Sequence, residues 1–446
     1  MIRCKTNYSN KRILIIFIIV CCILSYQQQK NYINRIINNI LIKFPTSFFH
    51  NKTTNVKFEL SHDNTTLTQN IKDLIEYKET ISPFTMNNTT HKYIIEELYF
   101  TLTTNTKRII NTIHYLKFWA TFPNINCLII FEENDFMNNK NIIEYLIHEG
   151  ILCKIQISNI TNYEERYVEL FHLAWQNQNR NVTKSIQWFI VSDDDTIWFI
   201  NNLLHTLQQY NSSISIYLGN ISDRKSQIKR HGDYYAYGGG GILLSRSLAS
   251  LLSKYNQQCK KYRNIYGGDA MIGKCITEIL NVSLTKNRNF QQMDHSGDMT
   301  GYFESGIHGL VSLHHMFSLW KLFPDGYADK INETMSLLQL AYMKFDRNFL
   351  KRYIQINQTT NQTLLLTIGY SVSLFNRILS HEDLQQVENT WNGNEMTMRK
   401  YRSKEKNKTT WYFQRIIKEN FNNSIQYKTI YENRYNQIQY INVILC

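Results

Sequence analysis

The run Trp188-Phe189-Ile190-Val191-Ser192-Asp193-Asp194-Asp195-Thr196 passes abruptly from apolar residues to three adjacent carboxylates. Such a run reads as a buried strand, and a strand of an α/β sheet carries its ligand-binding groups at its C-terminal edge. Carboxylates packed this tightly repel one another unless a cation lies on them. Oxygen ligands favour a hard divalent ion, Mg²⁺ or Mn²⁺, which reaches a protein through one or two carboxylates and a substrate's phosphates. The chemistry indicated is that of a nucleotide-diphosphate substrate. Taken alone, the same triplet is also a solvated acidic turn.

Three further segments carry residue types suited to chemistry. Gly238-Gly239-Gly240-Gly241 lets backbone approach whatever lies above it, although a flexible turn has the same composition and no P-loop Lys-Ser/Thr follows. Gly267-Gly268-Asp269-Ala270 places a carboxylate at a helix N-terminus, where the macrodipole stabilises it, as it would an ordinary N-cap. Val311-Ser312-Leu313-His314-His315 ends a strand-like run in a histidine pair, where a single histidine would ordinarily be structural.

The elements needed to bring these segments together alternate. Strand-like runs at 93–103, 127–131, 152–157, 187–191 and 214–218 are separated by helix-like runs at 106–120, 141–148, 163–175 and 199–210. In the first helix Ile109, Ile113 and Leu116 share a face. This rhythm predicts an α/β fold with a Rossmann-like parallel sheet and the carboxylates at its ligand-bearing edge. Residues 25–88 are polar, rich in Asn and Thr and without periodicity, as in a stem. Beyond Pro324 the chain is aromatic and basic, with one clear strand at 364–370.

The chain has 446 residues and a formal charge of +13, but its Lys and Arg are dispersed, so no nucleic-acid partner is expected. Residues 13–24 (ILIIFIIVCCIL) are uninterrupted apolar and follow Arg3, Lys5, Lys11 and Arg12. A basic flank keeps the N-terminus cytoplasmic and sends the rest across. The span is shorter than the roughly 20 residues preferred, which leaves a cleaved signal peptide and a signal anchor; no small-residue cleavage pattern follows, which favours the anchor. The division expected is a cytoplasmic tail at 1–12, an anchor at 13–26, a stem at 27–90, a catalytic domain at 91–330 and a C-terminal extension at 331–446. Everything after the anchor would face the lumen of the endoplasmic reticulum or Golgi. Sequons such as Asn181-Val182-Thr183 and Asn332-Glu333-Thr334 agree with that side, and Cys127 with Cys153 and Cys259 with Cys275 could form disulfides there.

The segments together resemble the fringe-like inverting β1,3-glycosyltransferases of family 31, which have a GT-A fold. Four appear in the family's order: a Thr-rich first strand leading to Trp119, the apolar run ending in Asp193-Asp194-Asp195, Tyr237 to Ser245, and Gly268-Asp269-x-x-x-Gly273-x-Cys275. His314 matches a Ser-x-His of the core 1 β1,3-galactosyltransferases. The Tyr-Gly-Gly-Gly-Gly and Ser-x-His-His patterns, with Leu364 to Leu379, resemble the plant and fungal fringe-related branch. The resemblance covers roughly residues 91–440.

It implies metal-dependent transfer of a sugar from a UDP-sugar to a hydroxyl of a glycan or glycoprotein, with Mn²⁺ or Mg²⁺ as cofactor. Asp195, Asp193 and His314 would hold the metal, with His315 and then His295 as rivals for the histidine place. Thr103, Asp193, Asp194, Gly239 and Gly240 would contact the donor. Asp269 would be the general base, although Gly268 stands where the family often has a second acid. Two other readings compete: a silent lumenal glycan-binding protein of the same fold, and a phosphatase using Asp193 as nucleophile. The second needs a Thr or Val where Ile197 stands.

Overall fold

The computed structural model describes residues 92–445 except 179–184, 325, 397–398, 422–423 and 434–438, together with strands at Ile42–Phe44, Thr54–His62, Thr65–Asn70 and Ile75–Glu76. The expected tail and anchor lie outside the described residues. Among the described residues no helix is long and apolar enough to cross a membrane.

A seven-stranded sheet organises the N-terminal half: β1 Leu98–Thr104, β2 Asn126–Glu132, β3 Lys154–Ser158, β4 Trp188–Val191, β5 Tyr217–Gly219, β6 Ile242–Ser245 and β7 Leu284–Lys286. Across the sheet the order is β3, β2, β1, β4, β6, β5, β7. The strands β1 to β4 pair in parallel, as their alternation with helices requires. The second half departs from the parallel expectation, because β6 runs antiparallel to both β4 and β5. Antiparallel neighbours need no helical crossover, so an alternating pattern upstream does not dictate direction downstream. Both β1 and β4 are buried along their whole length, which their unbroken apolar and β-branched runs anticipate.

The helix after β1, α1 (Thr106–Trp119), is capped by the Asn105 side chain, which accepts from the Arg108 N–H at 2.8 Å, and buries Ile109, Ile113 and Leu116 as predicted. The single helix expected over 163–175 is two: α2, Tyr163–Val168, and a second at Leu170–Gln178. Between them lies Glu169, whose carboxylate binds Asn256 at 2.6 Å and Lys260 at 3.5 Å. Disulfides join Cys127 to Cys153 and Cys259 to Cys275, the two pairings anticipated.

Downstream lie α3 (Gly268–Lys274) and, further on, α4 (Ile331–Phe345), which leads into an antiparallel sheet. That sheet contains the anticipated strand, at Gln362–Thr367, beside others at Arg352–Asn357, Ser371–Phe375, Lys408–Phe421, Ser424–Asn433 and Gln439–Leu445. The N-terminal strands at 42–44, 54–62, 65–70 and 75–76 join the same sheet. One apolar core runs through Tyr115 and Phe118 of α1, Leu313, Trp320, Leu338 and Tyr342 of α4, and Trp411 and Phe413 of the C-terminal sheet. The two halves are packed as one body around it.

Candidate active site

The carboxylate triplet follows β4 directly and turns at once into the two-residue strand Ile197–Trp198. That strand pairs antiparallel with Ser312–Leu313, Ile197 opposite Leu313, so His314 arrives beside Thr196 and Asp195. Phe290–Gln291 pairs in parallel with the same segment, Gln291 opposite Leu313, which sets the Gln292 carbonyl beside His314. Residues 119 positions apart are thereby brought together by strand register.

His314 is buried, and its Nδ1 lies 3.2 Å from the Gln292 carbonyl oxygen. With Nδ1–H donating there, Nε2 faces Asp195 Oδ1 at 2.9 Å and Asp193 Oδ2 at 3.4 Å. Burial opposes charge on His314, but Asp195 and Asp193 hold its pKa well above the usual range. Asp195 is the converse: burial would raise its pKa, yet His314 and Arg108 hold it well below the ordinary carboxylate value.

His315 stacks on His314 with ring centroids 3.6 Å apart and adopts a left-handed backbone, φ 61°. Such a conformation is rare outside glycine and concentrates at functional sites. The turn is fixed from both sides, because Trp320 Nε1 donates to the His314 carbonyl at 2.7 Å and the Tyr115 hydroxyl donates to the Met316 carbonyl. Burial and the neighbouring His314 push His315 down to about 4, so it is neutral at physiological pH.

Asp195, His314 and His315 each offer one ligand atom, all within 4.8 Å of one another. Asp195 Oδ1 is buried between the His314 ring and the Arg108 guanidinium, and the buried His315 Nδ1 finds no hydrogen-bond partner among the described residues. A carboxylate and two imidazoles converging in this way fit a divalent ion, and they suit a transition ion such as Mn²⁺ better than Mg²⁺. His295 lies outside this group: its Nε2 is 3.1 Å from Asp223 Oδ2, and its ring is 5.3 Å from Trp391.

Thr103 and Asp194, both expected at the donor, have their polar atoms engaged inside the protein. The Thr103 hydroxyl donates to the Ile130 carbonyl at 3.0 Å and accepts from Arg166 Nε at 2.8 Å. Asp194 accepts from Arg108 Nε at 2.6 Å and from the Thr104 hydroxyl. Burial pushes its pKa up to about 6 against the pull of Arg108. Arg108 also reaches Asp195 Oδ1 with Nη2 at 3.2 Å, so one guanidinium ties the triplet to the first turn of α1. Sequence reasoning missed Arg108. Its signal was a cation in the first turn of a helix, where the macrodipole disfavours one without a partner.

The glycine run spans the distance from these residues to Asp269. Gly239 packs flat on the His314 ring, and a β-carbon there would overlap it. The Gly239 carbonyl accepts from the Thr196 hydroxyl at 2.9 Å, and Gly240 donates to Gln292 Oε1 at 2.8 Å. One residue earlier, the Gly238 N–H donates to Asp269 Oδ2 at 2.9 Å. The other oxygen of Asp269 accepts from the Ala270 N–H at 2.8 Å, at the start of α3. Burial pushes Asp269 up to about 7, with the charges of Asp193 and Glu164 adding to the shift and the two N–H groups opposing it. A carboxylate with that pKa is suited to take a proton near neutrality.

The family described as Protein of unknown function, DUF604, matches residues 227–441. Mouse β-1,3-glucosyltransferase is 34% identical over 108 residues, which cover 24% of this chain and 21% of that protein. Human chondroitin sulfate synthase 3 is 25% identical over 140 residues, covering 29% and 16%. Over these stretches the chain is similar to proteins named β-1,3-glucosyltransferase. It spans about a fifth of the length of the curated relatives it matches. Glycosyltransferase GlyE of Streptococcus pneumoniae TIGR4 aligns with TM-score 0.28 and 11% identity over 43% of this chain and 45% of that one. The galactosyltransferase LgtC, solved with donor and acceptor sugar analogues, aligns with TM-score 0.33 and 11% identity over 54% and 95%.

Proposed function

We propose that this chain is a metal-dependent inverting glycosyltransferase of GT-A type, in the fringe-related branch, moving a sugar from a UDP-sugar to a hydroxyl of a glycan or glycoprotein in β1,3 linkage. The observation that carries this reading is the glycine run: consecutive residues Gly238 and Gly239 touch Asp269 on one side and the His314 ring on the other. A proton acceptor and a cation cradle are thus held side by side, which is what a displacement at a sugar–phosphate bond demands.

Asp195, His314 and His315 would hold the ion, with Asp193 beside them. When bound, the ion supplies neutralisation of the charge that builds on the departing diphosphate. Asp269 takes the proton of the acceptor hydroxyl as its oxygen forms a bond to the anomeric carbon. The bond from that carbon to the phosphate oxygen breaks, its electron pair leaves with UDP, and one displacement inverts the centre. Arg108 keeps Asp194 and Asp195 in place during this step, and Gly239 and Gly240 fix His314 and Gln292 from behind.

The same reading puts the chain in the endoplasmic reticulum or Golgi lumen, held by residues 13–26. Disulfides that persist in oxidising compartments support that side of the membrane. The test is UDP release from a panel of UDP-sugars with Mn²⁺, with and without chelator, followed by linkage analysis of the product. Chelator-sensitive release with one donor is expected. Binding of glycans with no turnover of any donor would replace the reading by that of a glycan-binding protein.

A further inference from the structure

Both histidines of the candidate cradle meet one neighbouring stretch of chain. Phe290–Gln291 pairs in parallel with Ser312–Leu313, so Gln292 to Asp294 leave that pairing alongside His314 and His315. Gln292 serves the first histidine, its carbonyl oxygen 3.2 Å from His314 Nδ1. Two residues on, Asp294 faces the second. Its Oδ1 lies 3.7 Å from His315 Nδ1, within ion-pair reach but longer than a hydrogen bond. That nitrogen is buried and otherwise unserved among the described residues.

The carboxylate is held in place without help from the histidine. Asp294 is buried; the Ser222 hydroxyl donates to its Oδ2, Gln292 Nε2 donates to its Oδ1 at 3.3 Å, and its own N–H donates to Asp223 Oδ1 at 3.1 Å. On both sides of the contact the backbone is left-handed, at Met293 (φ 55°) and at His315 (φ 61°). Each such residue costs on the order of 1–3 kcal/mol and persists where its surroundings over-determine it. A neutral imidazole has one ring proton to place. A carboxylate facing Nδ1 keeps that proton there and leaves the Nε2 lone pair for an ion, whereas a proton on Nε2 would block it.

We propose that Asp294 is a positioning residue for the cation cradle, holding the Nδ1 proton of His315 so that Nε2 is presented to the ion, as the Gln292 carbonyl does for His314. This rests on the reading of Asp195, His314 and His315 as metal ligands and adds the group that sets the tautomer of the third. The test is Mn²⁺ binding to the nucleotide-free full chain, measured by titration calorimetry for wild type, Asp294→Asn, His315→Ala and the double variant. In Asp294→Asn the Ser222 hydroxyl claims the one remaining oxygen, and the Nδ1 proton loses its acceptor. Expected is a Kd for Mn²⁺ about ten- to hundredfold higher than wild type, the usual cost of losing a ligand's supporting partner. Added to His315→Ala, the same substitution should cause no further loss, because a group that acts through His315 then has nothing to act on.

A carboxylate that merely holds the loop would weaken binding equally in both backgrounds, and that result overturns the inference. Unchanged Mn²⁺ affinity in Asp294→Asn does the same. Should Asp294→Asn fail to fold, Ser222→Ala, which only loosens the carboxylate, replaces it: a loss of about two- to tenfold is expected, the worth of one hydrogen bond, and wild-type affinity overturns the inference. A wild type that binds no Mn²⁺ sinks the underlying cation reading. A wild type that binds the ion no more tightly than Asp294→Asn sinks this inference alone.

Discussion

In the proposed mechanism the ionisation of Asp269 sets the pH dependence. Because the working form of a base is deprotonated and this carboxyl is raised to about 7, kcat/KM should fall about tenfold per pH unit below 7 and level off above it. A pH–rate profile with its acidic limb near pH 4 would contradict that. Asp269→Asn should lower kcat by about 10²- to 10⁴-fold while binding of UDP with Mn²⁺ stays near wild type. His314→Ala should act in the opposite sense, weakening Mn²⁺-dependent UDP binding by about 100-fold or more, since loss of a direct ligand exceeds the 10- to 100-fold cost of losing its supporting partner. Titration calorimetry with and without Mn²⁺ separates the two variants. At the residue scale a motif makes Asp195, Asp269 and His314 conspicuous in the sequence, and the fold brings Asp195 and His314 together. Arg108 is inconspicuous there, because it lies in an ordinary amphipathic helix and gains its meaning only from the carboxylates that pack opposite it.

At the scale of elements, two short segments position the groups of the candidate site. The pairing of Ile197–Trp198 with Ser312–Leu313 sets His314 against Asp195, and a slip of one residue would turn His314 to the other face. Helix α3 presents Asp269 from inside the loop that Cys259 and Cys275 close, with 16 residues of sequence separation. A disulfide closing a loop of that length contributes about 3 kcal/mol through the unfolded chain. Cys259→Ser should therefore lower unfolding free energy in urea by about 3 kcal/mol. It should also reduce kcat at temperatures well below the new midpoint, because the base loses its tether. A variant of normal activity and lowered stability would show that packing alone positions α3.

At the scale of the whole molecule, the C-terminal sheet and the catalytic half share one core, from Phe118 of α1 to Trp411. A chain ending at residue 330 should yield no soluble folded product, as judged by cooperative unfolding of the purified fragment. The interface also buries a charge. Lys408 Nζ lies 2.9 Å from Glu388 and 3.0 Å from Glu304, with all three side chains nearly inaccessible. Removing one partner of such a cluster strands the others, at about 3–5 kcal/mol. Lys408→Met should lower stability by that amount while Mn²⁺-dependent UDP affinity of the folded fraction is preserved. Equal stability would mean that Glu304 and Glu388 are held by Ser371, Ser373 and Arg402 alone.

The amino-acid sequence by itself determined the parallel first half of the sheet and the apolar face of α1, and it offered the two cysteine pairs that the fold joins. Those follow from periodicity and local composition, which act over a few residues. The antiparallel β6, the sheet built by the C-terminal residues, the joining of His315 to Asp195 and His314, and the inward commitment of Thr103 and Asp194 were decided by tertiary structure. Strand direction and hydrogen-bond partners depend on what the chain meets a hundred residues away, and local pattern carries no record of that encounter.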